Sequence, residues 1–271
     1  MKKQEVKFES ENDYAQSANT LFHFLTKQEY LFSALQKKAF IPRYCMEDIS
    51  YLGIGFKEIA VLQKCFCDIP FHQLTKNFKL ILAKDYRDLS DDEKKQVEEH
   101  NTHPDLYGRY AIAFSKVWGE NNELQPVHYV NDKSYFTTYF SKLFTKAMSR
   151  KHLPNYFSAD IMGRLSFMKP LRGIMKRQTI NHKTVEVYKN FHDEREWRYL
   201  PKIKELEKLK LEPIIANPNV IGLDKDMFLL QQLNEQLQKD TYNTIWLKFN
   251  YNDIRYIMIL TCPHFMYHGE L

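Results

Sequence analysis

Residues 192–201 read His192-Asp193-Glu194-Arg195-Glu196-Trp197-Arg198-Tyr199-Leu200-Pro201, and they constrain this chain more than any other stretch. They have the pattern of a short strand that stops at Pro201, because proline cannot donate to a sheet ladder. Alternate side chains of a strand share a face. Glu194, Glu196 and Arg198 then point one way, and Arg195, Trp197 and Tyr199 the other. Two readings stay open. One is a solvated edge strand whose charges pair with each other. The other is a site, in which one carboxylate stabilises developing positive charge on a ligand and the second orients a nucleophile or takes its proton.

A chain of 271 residues can bury a large core in one or two domains. Only 8 residues are glycine and no Gly-rich phosphate loop occurs, which argues against a dinucleotide-binding Rossmann unit. The net charge of +5 is mild, so where the charge lies matters more than its sum. Cys45, Cys65, Cys67 and Cys262 do not make a disulfide framework. Cys65 and Cys67 are too close for a zinc knuckle and no second pair follows, so no metal is expected. Reduced thiols, no apolar run near Met1 and no stretch of about 20 apolar residues suggest a cytoplasmic protein without a membrane span.

Residues 1–17 form a polar arm, and residues 18–271 are read as a single domain. Thr20 to Thr26 suits a strand carrying His23, which as a lone histidine among apolar residues is also an ordinary core histidine. Gln28 to Lys38 has helical spacing, and Phe40 to Tyr44 is extended around Pro42. Gln63 to Pro70 reads as a strand whose Asp68 caps a helix starting near Phe71. The helical pattern continues to about His100, with a capping box at Ser90 to Glu93. Strands are predicted at Tyr107 to Ser115, closed by Lys116 to Gly119, and at Pro126 to Val130. Tyr135 to Met148 has the pattern of a helix with an aromatic face. Later strands are predicted at Glu212 to Ile215, Asn219 to Leu223, Thr244 to Phe249 and Tyr256 to Thr261, with an amphipathic helix from Asp226 to Lys239.

Residues 134–183 form a basic insertion. Lys142, Lys146, Arg150, Lys151, Arg164, Lys169, Arg172, Lys176, Arg177 and Lys183 meet one acid, Asp160, and Tyr156, Phe157 and Phe167 are interleaved. Such a stretch suits a nucleic-acid backbone and its unstacked bases, with Lys169, Arg172, Lys176 and Arg177 as candidate phosphate contacts. A solvated helical face balanced by acids from elsewhere in the fold is the alternative.

An ordered set of motifs carries a family resemblance. Leu21-Phe22-His23-Phe24, Phe40-Ile41-Pro42-Arg43-Tyr44-Cys45, Cys65-Phe66-Cys67-Asp68-Ile69-Pro70, Tyr107 to Lys116 with Trp118, Pro126-Val127 with Tyr129, and Asp193 to Arg198 together resemble the AbiGi family of phage-defence proteins. The layout is also similar to that of ADP-ribosyltransferases, in particular the DarT-like enzymes that modify nucleic-acid bases. This resemblance implies an α/β (α+β) fold with a split, mostly antiparallel sheet and flanking helices, and NAD as substrate.

By the same resemblance, Glu196 is the catalytic glutamate and Glu194 acts on the acceptor. His23, Thr26, Arg43, Tyr44, Phe66 and Arg109 are the residues toward NAD, with Arg43 and Arg109 both open as the phosphate-facing arginine. The acceptor is RNA or single-stranded DNA, because a base inside a stack cannot reach the ribose. This expectation demands Glu196 on a central strand, near His23 and on the same face of the sheet. A second expectation, from the same family, is a non-enzymatic antitoxin that binds a partner toxin.

Overall fold

A computed structural model describes residues 18–55, 57–78, 80–82, 90–99, 101–149, 155–178, 184–215 and 224–260. Within them, the side chains of 80–82, 96–99, 148–149, 155–159, 176–178, 184–185 and 224–227 lie outside the description. The chain begins with β1 (Thr20–Leu25), α1 (Gln28–Lys37), β2 (Ala39–Phe40), β3 (Arg43–Asp48), β4 (Glu58–Cys67) and β5 (Leu80–Leu82). It continues through α2 (Asp91–Glu99), α3 (His103–Tyr107), β6 (Tyr110–Ser115), α4 (Lys116–Asn121), β7 (Gln125–Pro126), β8 (His128–Val130), α5 (Tyr135–Ser149) and α6 (Asn155–Ser166). It closes with β9 (Met168–Pro170), β10 (Arg172–Gln178), β11 (Thr184–Asn190), β12 (Glu196–Tyr199), α7 (Ile203–Leu209), β13 (Ile214–Ile215), α8 (Asp224–Gln236), β14 (Leu247–Lys248) and β15 (Ile254–Ile259).

The fold is mixed α/β around a mostly antiparallel sheet of order β15-β6-β1-β4-β12-β7. β4 organises it. Its sequence, Glu-Ile-Ala-Val-Leu-Gln-Lys-Cys-Phe-Cys, favours a pleated, buried strand. Its first half pairs with β3 and β13, and its second half with β12 and, at Cys67, with β1. Smaller sheets are β10-β11-β5, β14-β2 and the parallel pair β8-β9. One apolar cluster joins Leu21, Phe66, Phe114, Trp118 and Trp197 on one face of the main sheet. A second places α5 and α6 (Phe140, Phe144, Ile161, Leu165) against Ile49, Ile59 and Val61. A third places Leu206 of α7, Leu230 of α8 and Leu237 just after it against Tyr44 and Leu62. Full burial of a Phe or Leu contributes roughly 1.5–3 kcal/mol, so these clusters dominate the stability.

Most predicted elements occur, and the departures have local causes. The helix expected from Phe71 to His100 is instead a 3₁₀ turn (Phe71–Gln73), strand β5 and helix α2. Tertiary pairing decides this, because Leu80, Ile81 and Leu82 hydrogen-bond along β11. Asp68 does not cap a helix. It is buried and forms an ion pair with Lys116 at 2.5 Å. The strand expected from Tyr107 splits at Gly108, whose φ of 124° separates α3 from β6. Lys116 to Gly119 is helix α4, capped by Ser115, whose Oγ accepts the Trp118 N–H at 3.1 Å. The expected strand from Thr244 is a 3₁₀ turn (Asp240–Ile245) leading into the short β14. The capping box is present, with Ser90 N–H donating to Glu93 at 2.9 Å. Residues 1–17, the strand expected at Asn219 to Leu223, and Cys262 lie outside the described residues. No described helix is long and apolar enough to cross a membrane.

Candidate functional site

The glutamates of residues 194 and 196 do converge, and they do so inside the protein. Glu196 and Arg198 share one face of β12 by its two-residue period. Glu194 comes from the 3₁₀ turn before it (Phe191–Glu194), and Arg195, left-handed at φ 45°, redirects the chain so that both carboxylates reach the same side. The strand is neither solvated nor at the sheet edge. It lies between β4 and β7, and all four of its side chains are buried.

There the charges alternate in a continuous ladder. Arg198 Nη2 donates to Glu47 at 2.9 Å and its Nε to Glu196 at 2.6 Å. Lys169 Nζ donates to Glu196 at 2.7 Å and to Glu194 at 2.6 Å. Lys189 Nζ donates to Glu194 at 2.8 Å, and the Tyr107 hydroxyl donates to the same carboxylate. Gln63 donates to Glu47 at 2.6 Å, Arg198 Nη1 donates to the Ser166 carbonyl at 2.7 Å, and the Glu196 N–H donates to Tyr129 Oη at 2.7 Å. Glu47, Glu196 and Glu194 thus balance Arg198, Lys169 and Lys189. Removing such charges from water is expensive, and only full pairing offsets it.

Protonation follows the pairing. Burial pushes the Glu196 carboxyl up, but Arg198 and Lys169 outweigh it and hold the group well below the usual carboxylate range. Burial likewise opposes ionisation of Glu194, and Lys169 and Lys189 reverse it, so its pKa is also lowered. Lys169 is disfavoured as a cation by burial and restored by Glu194 and Glu196, which raise it well above the ordinary lysine value. Lys189 is lowered, burial prevailing over Glu194. The net picture is two ionised glutamates with their oxygens committed to cations. Neither is poised near neutrality as a proton acceptor.

His23 lies on the other face of the sheet, contrary to the expectation. Cys67 is the register partner of both Phe22 and Glu196, so Phe22, Cys67 and Glu196 share a face. His23, one residue on, shares the opposite face with Phe66 and Trp197. Its ring packs against Phe40 at 4.5 Å and Phe66 at 5.3 Å between centroids. Nδ1 bonds the Cys65 carbonyl at 2.8 Å, and Nε2 has no partner among the described residues. Burial, then the Lys64 charge, lower its pKa well below 6.5, against the pull of the Cys65 carbonyl. It is a neutral core histidine.

Of the remaining residues expected toward NAD, Phe66 alone packs beside His23. Thr26 is exposed in the turn after β1, and Arg43 is exposed at the start of β3. Tyr44 is buried and tethers other elements, its hydroxyl donating to the Glu212 carbonyl at 2.7 Å and its N–H to Asn234 at 2.7 Å. Phe66 is fully buried core. Arg109 is half-exposed, 4.0 Å from Asp105. An open cleft of about 1110 Å³ lies elsewhere, lined by Phe167, Pro201, Leu206 and Ile214 among others, and includes none of the expected site residues. Among the described residues, those expected toward NAD are not brought together around one cleft.

The basic candidates divide as well. Lys169, expected as a phosphate contact, is a largely covered rung of the charge ladder, its ammonium held by Glu194 and Glu196. Arg172 is exposed on β10, and Lys176 and Arg177 lie on the same strand with side chains outside the description. Sequence reading missed Lys189, Tyr107 and Glu47 as members of the ladder. The one signal for Lys189 was its place after Val185 and Val187 at strand spacing, which puts a lysine on an apolar face. Among the described residues no group of His, Cys, Asp or Glu is arranged to hold a metal. Cys65 and Cys67 are free thiols whose pKa values burial raises, with nearby glutamates adding to it.

Fold and site therefore define a mixed α/β protein whose conspicuous acid pair is sealed into an ion-pair ladder. A family described as "Putative abortive phage resistance protein AbiGi, antitoxin" matches residues 83–260. The abortive phage resistance protein AbiGi of Lactococcus lactis subsp. cremoris is 32% identical over 235 residues, covering 82% of this chain and 82% of that protein. The chain belongs to the AbiGi family of abortive phage resistance proteins. No solved structure matches it significantly.

Proposed function

We propose that this protein is a non-enzymatic, antitoxin-type component of an abortive-infection system that works by binding a partner toxin. The observation that carries this reading is the state of Glu196. Its two oxygens are taken by Arg198 and Lys169, and it faces away from His23. A carboxylate already neutralised by two cations has little left to give an oxocarbenium-like ribose. The family description as an antitoxin points the same way.

The ADP-ribosyltransferase reading keeps one observation in its favour, the convergence of Glu194 and Glu196 on the single ammonium of Lys169. For that chemistry Lys169 has to withdraw and expose both carboxylates to NAD and an acceptor.

One experiment separates the two. The protein is expressed alone and together with the product of the adjacent reading frame. Growth, NAD level and ADP-ribose adducts on RNA, DNA and protein are then measured. The antitoxin reading expects no growth arrest by the protein alone, no NAD consumption, and relief of arrest by the partner through a complex that co-purifies. Growth arrest by this chain alone, with NAD loss and an adduct, replaces it with the transferase reading.

A further inference from the structure

Helix α5 buries one side and leaves another bare. Phe140, Phe144 and Ala147 pack into the core with Ile161 and Leu165. On the outer side stand Tyr135, Tyr139, Lys142 and Lys146, all exposed. Their offsets of four, three and four residues align them along one face of a helix, over about 16 Å at 1.5 Å per residue. Tyr135 is 82% exposed and Tyr139 55%. Their rings lie nearly parallel, 23° apart with centroids 6.3 Å from each other. Phe136, also exposed, widens the aromatic surface toward His128, whose ring is 4.7 Å away.

Along the sequence, the charge of this stretch has one sign. From residue 133 to 159 the sequence contains Lys133, Lys142, Lys146, Arg150 and Lys151 and no Asp or Glu. Asp132, exposed just before the helix, is the nearest acid in sequence on one side and Asp160 on the other. Single exposed aromatics are ordinary, but a row of them on the outer face of a helix, in line with two lysines, is a surface prepared for contact. Its complement carries negative charge at regular spacing and flat apolar faces.

We propose that the outer face of α5 binds single-stranded nucleic acid, with bases stacking on Tyr135 and Tyr139 and backbone phosphates paired to Lys142 and Lys146. Unpaired bases offer the π-faces that tyrosine rings take, and a lysine one turn away meets the phosphate that follows. A duplex hides those faces, so it engages only the lysines. This role is separate from toxin binding and uses none of the buried ladder.

The test is a fluorescence anisotropy titration of the full chain with a labelled oligouridylate 20-mer and with duplex RNA of equal length, across 50 to 200 mM salt. The wild type is expected to prefer the single strand and to show tyrosine quenching on binding. Tyr135→Ala with Tyr139→Ala should weaken single-strand binding about tenfold or more while leaving the salt slope unchanged. Lys142→Glu with Lys146→Glu should weaken it and flatten the slope by about 0.7 per lost lysine contact. These side chains are exposed, so circular dichroism and melting should match the wild type. No single-strand binding at 50 mM salt, equal affinity for duplex, or wild-type binding by folded variants each overturns the proposal. Loss of toxin neutralisation in these variants without any oligonucleotide binding assigns the face to a protein partner instead, and also overturns it.

Discussion

Lys169 Nζ lies 2.7 Å from a carboxylate oxygen of Glu196, inside the protein and within reach of Glu194 at 2.6 Å. Lys169→Ala leaves two buried carboxylates facing each other with one cation fewer. Breaking a buried pair in this way costs about 3–5 kcal/mol. The urea midpoint is expected to fall accordingly with the m value unchanged. A midpoint within about 0.5 kcal/mol of wild type shows that solvent, not Lys169, satisfies the two glutamates.

Glu196→Gln keeps the shape and removes the charge that Arg198 and Lys169 share. The expected result is a loss of roughly 3 kcal/mol of stability. Under the antitoxin reading, this appears in cells as lower protein abundance and weaker neutralisation of a partner. A transferase makes the opposite forecast: a protein of normal stability that has lost NAD turnover. Denaturation and NAD consumption measured on one preparation distinguish them.

Two buried histidines set the acid limb of stability. Burial, helped by Lys189 and opposed by Glu194, lowers His103 from 6.5 to about 3, and burial with Lys64 lowers His23 well below 6.5. Below pH 6.5 the unfolded chain takes up protons that the folded chain refuses, so stability falls as the pH drops. The slope approaches about 1.4 kcal/mol per pH unit for each histidine. Glu194 and Glu196, whose folded pKa values are depressed, add stability that is present above 4.5 and is lost only as the pH falls below it. Between pH 6.5 and 4.5 these two glutamates therefore add little slope, and the histidines lower the stability as the pH drops. His103→Leu should flatten the dependence of the urea midpoint in that window, and an unchanged slope would mean that His103 titrates normally in the folded protein.

Gly108 is set by space as well as by φ. At φ 124° its backbone lies where a Cβ would sit 2.2 Å from the Leu25 carbonyl oxygen. Gly108→Ala is expected to destabilise by at least about 2 kcal/mol, because backbone on both sides has to move. Thermal unfolding checks this. A variant that melts with the wild type shows that the turn between α3 and β6 shifts without penalty.

Tyr44→Phe removes the bond from the hydroxyl to the Glu212 carbonyl and leaves the N–H bond to Asn234. A loss of about 1 kcal/mol is expected. Under the antitoxin reading, toxin neutralisation should persist, because the ring and the tether to α8 remain. Loss of neutralisation in a folded Tyr44→Phe protein would place this hydroxyl at the partner interface.

The local pattern of the chain determined a good deal by itself. Alternation in Thr20 to Leu25 and in Glu196 to Tyr199, helical spacing in Gln28 to Lys37 and Tyr135 to Ser149, and the cap at Ser90 depend on neighbours a few residues away, and each is present. The period of β12 also put Glu196 and Arg198 on one face, and the motif order carried the family. What β12 faces was decided elsewhere. Cys67 pairs with Phe22 on one side and Glu196 on the other, and that register sends His23 into the aromatic core and Glu196 away from it. A slip of one residue would have reversed the outcome, and no local pattern in either strand records which register is taken. The same holds for Lys169, Lys189 and Glu47. Lys169 and Glu47 are far from the strand in sequence and Lys189 approaches it across a turn, and only folding supplies the opposite charges that let each be drawn in from water.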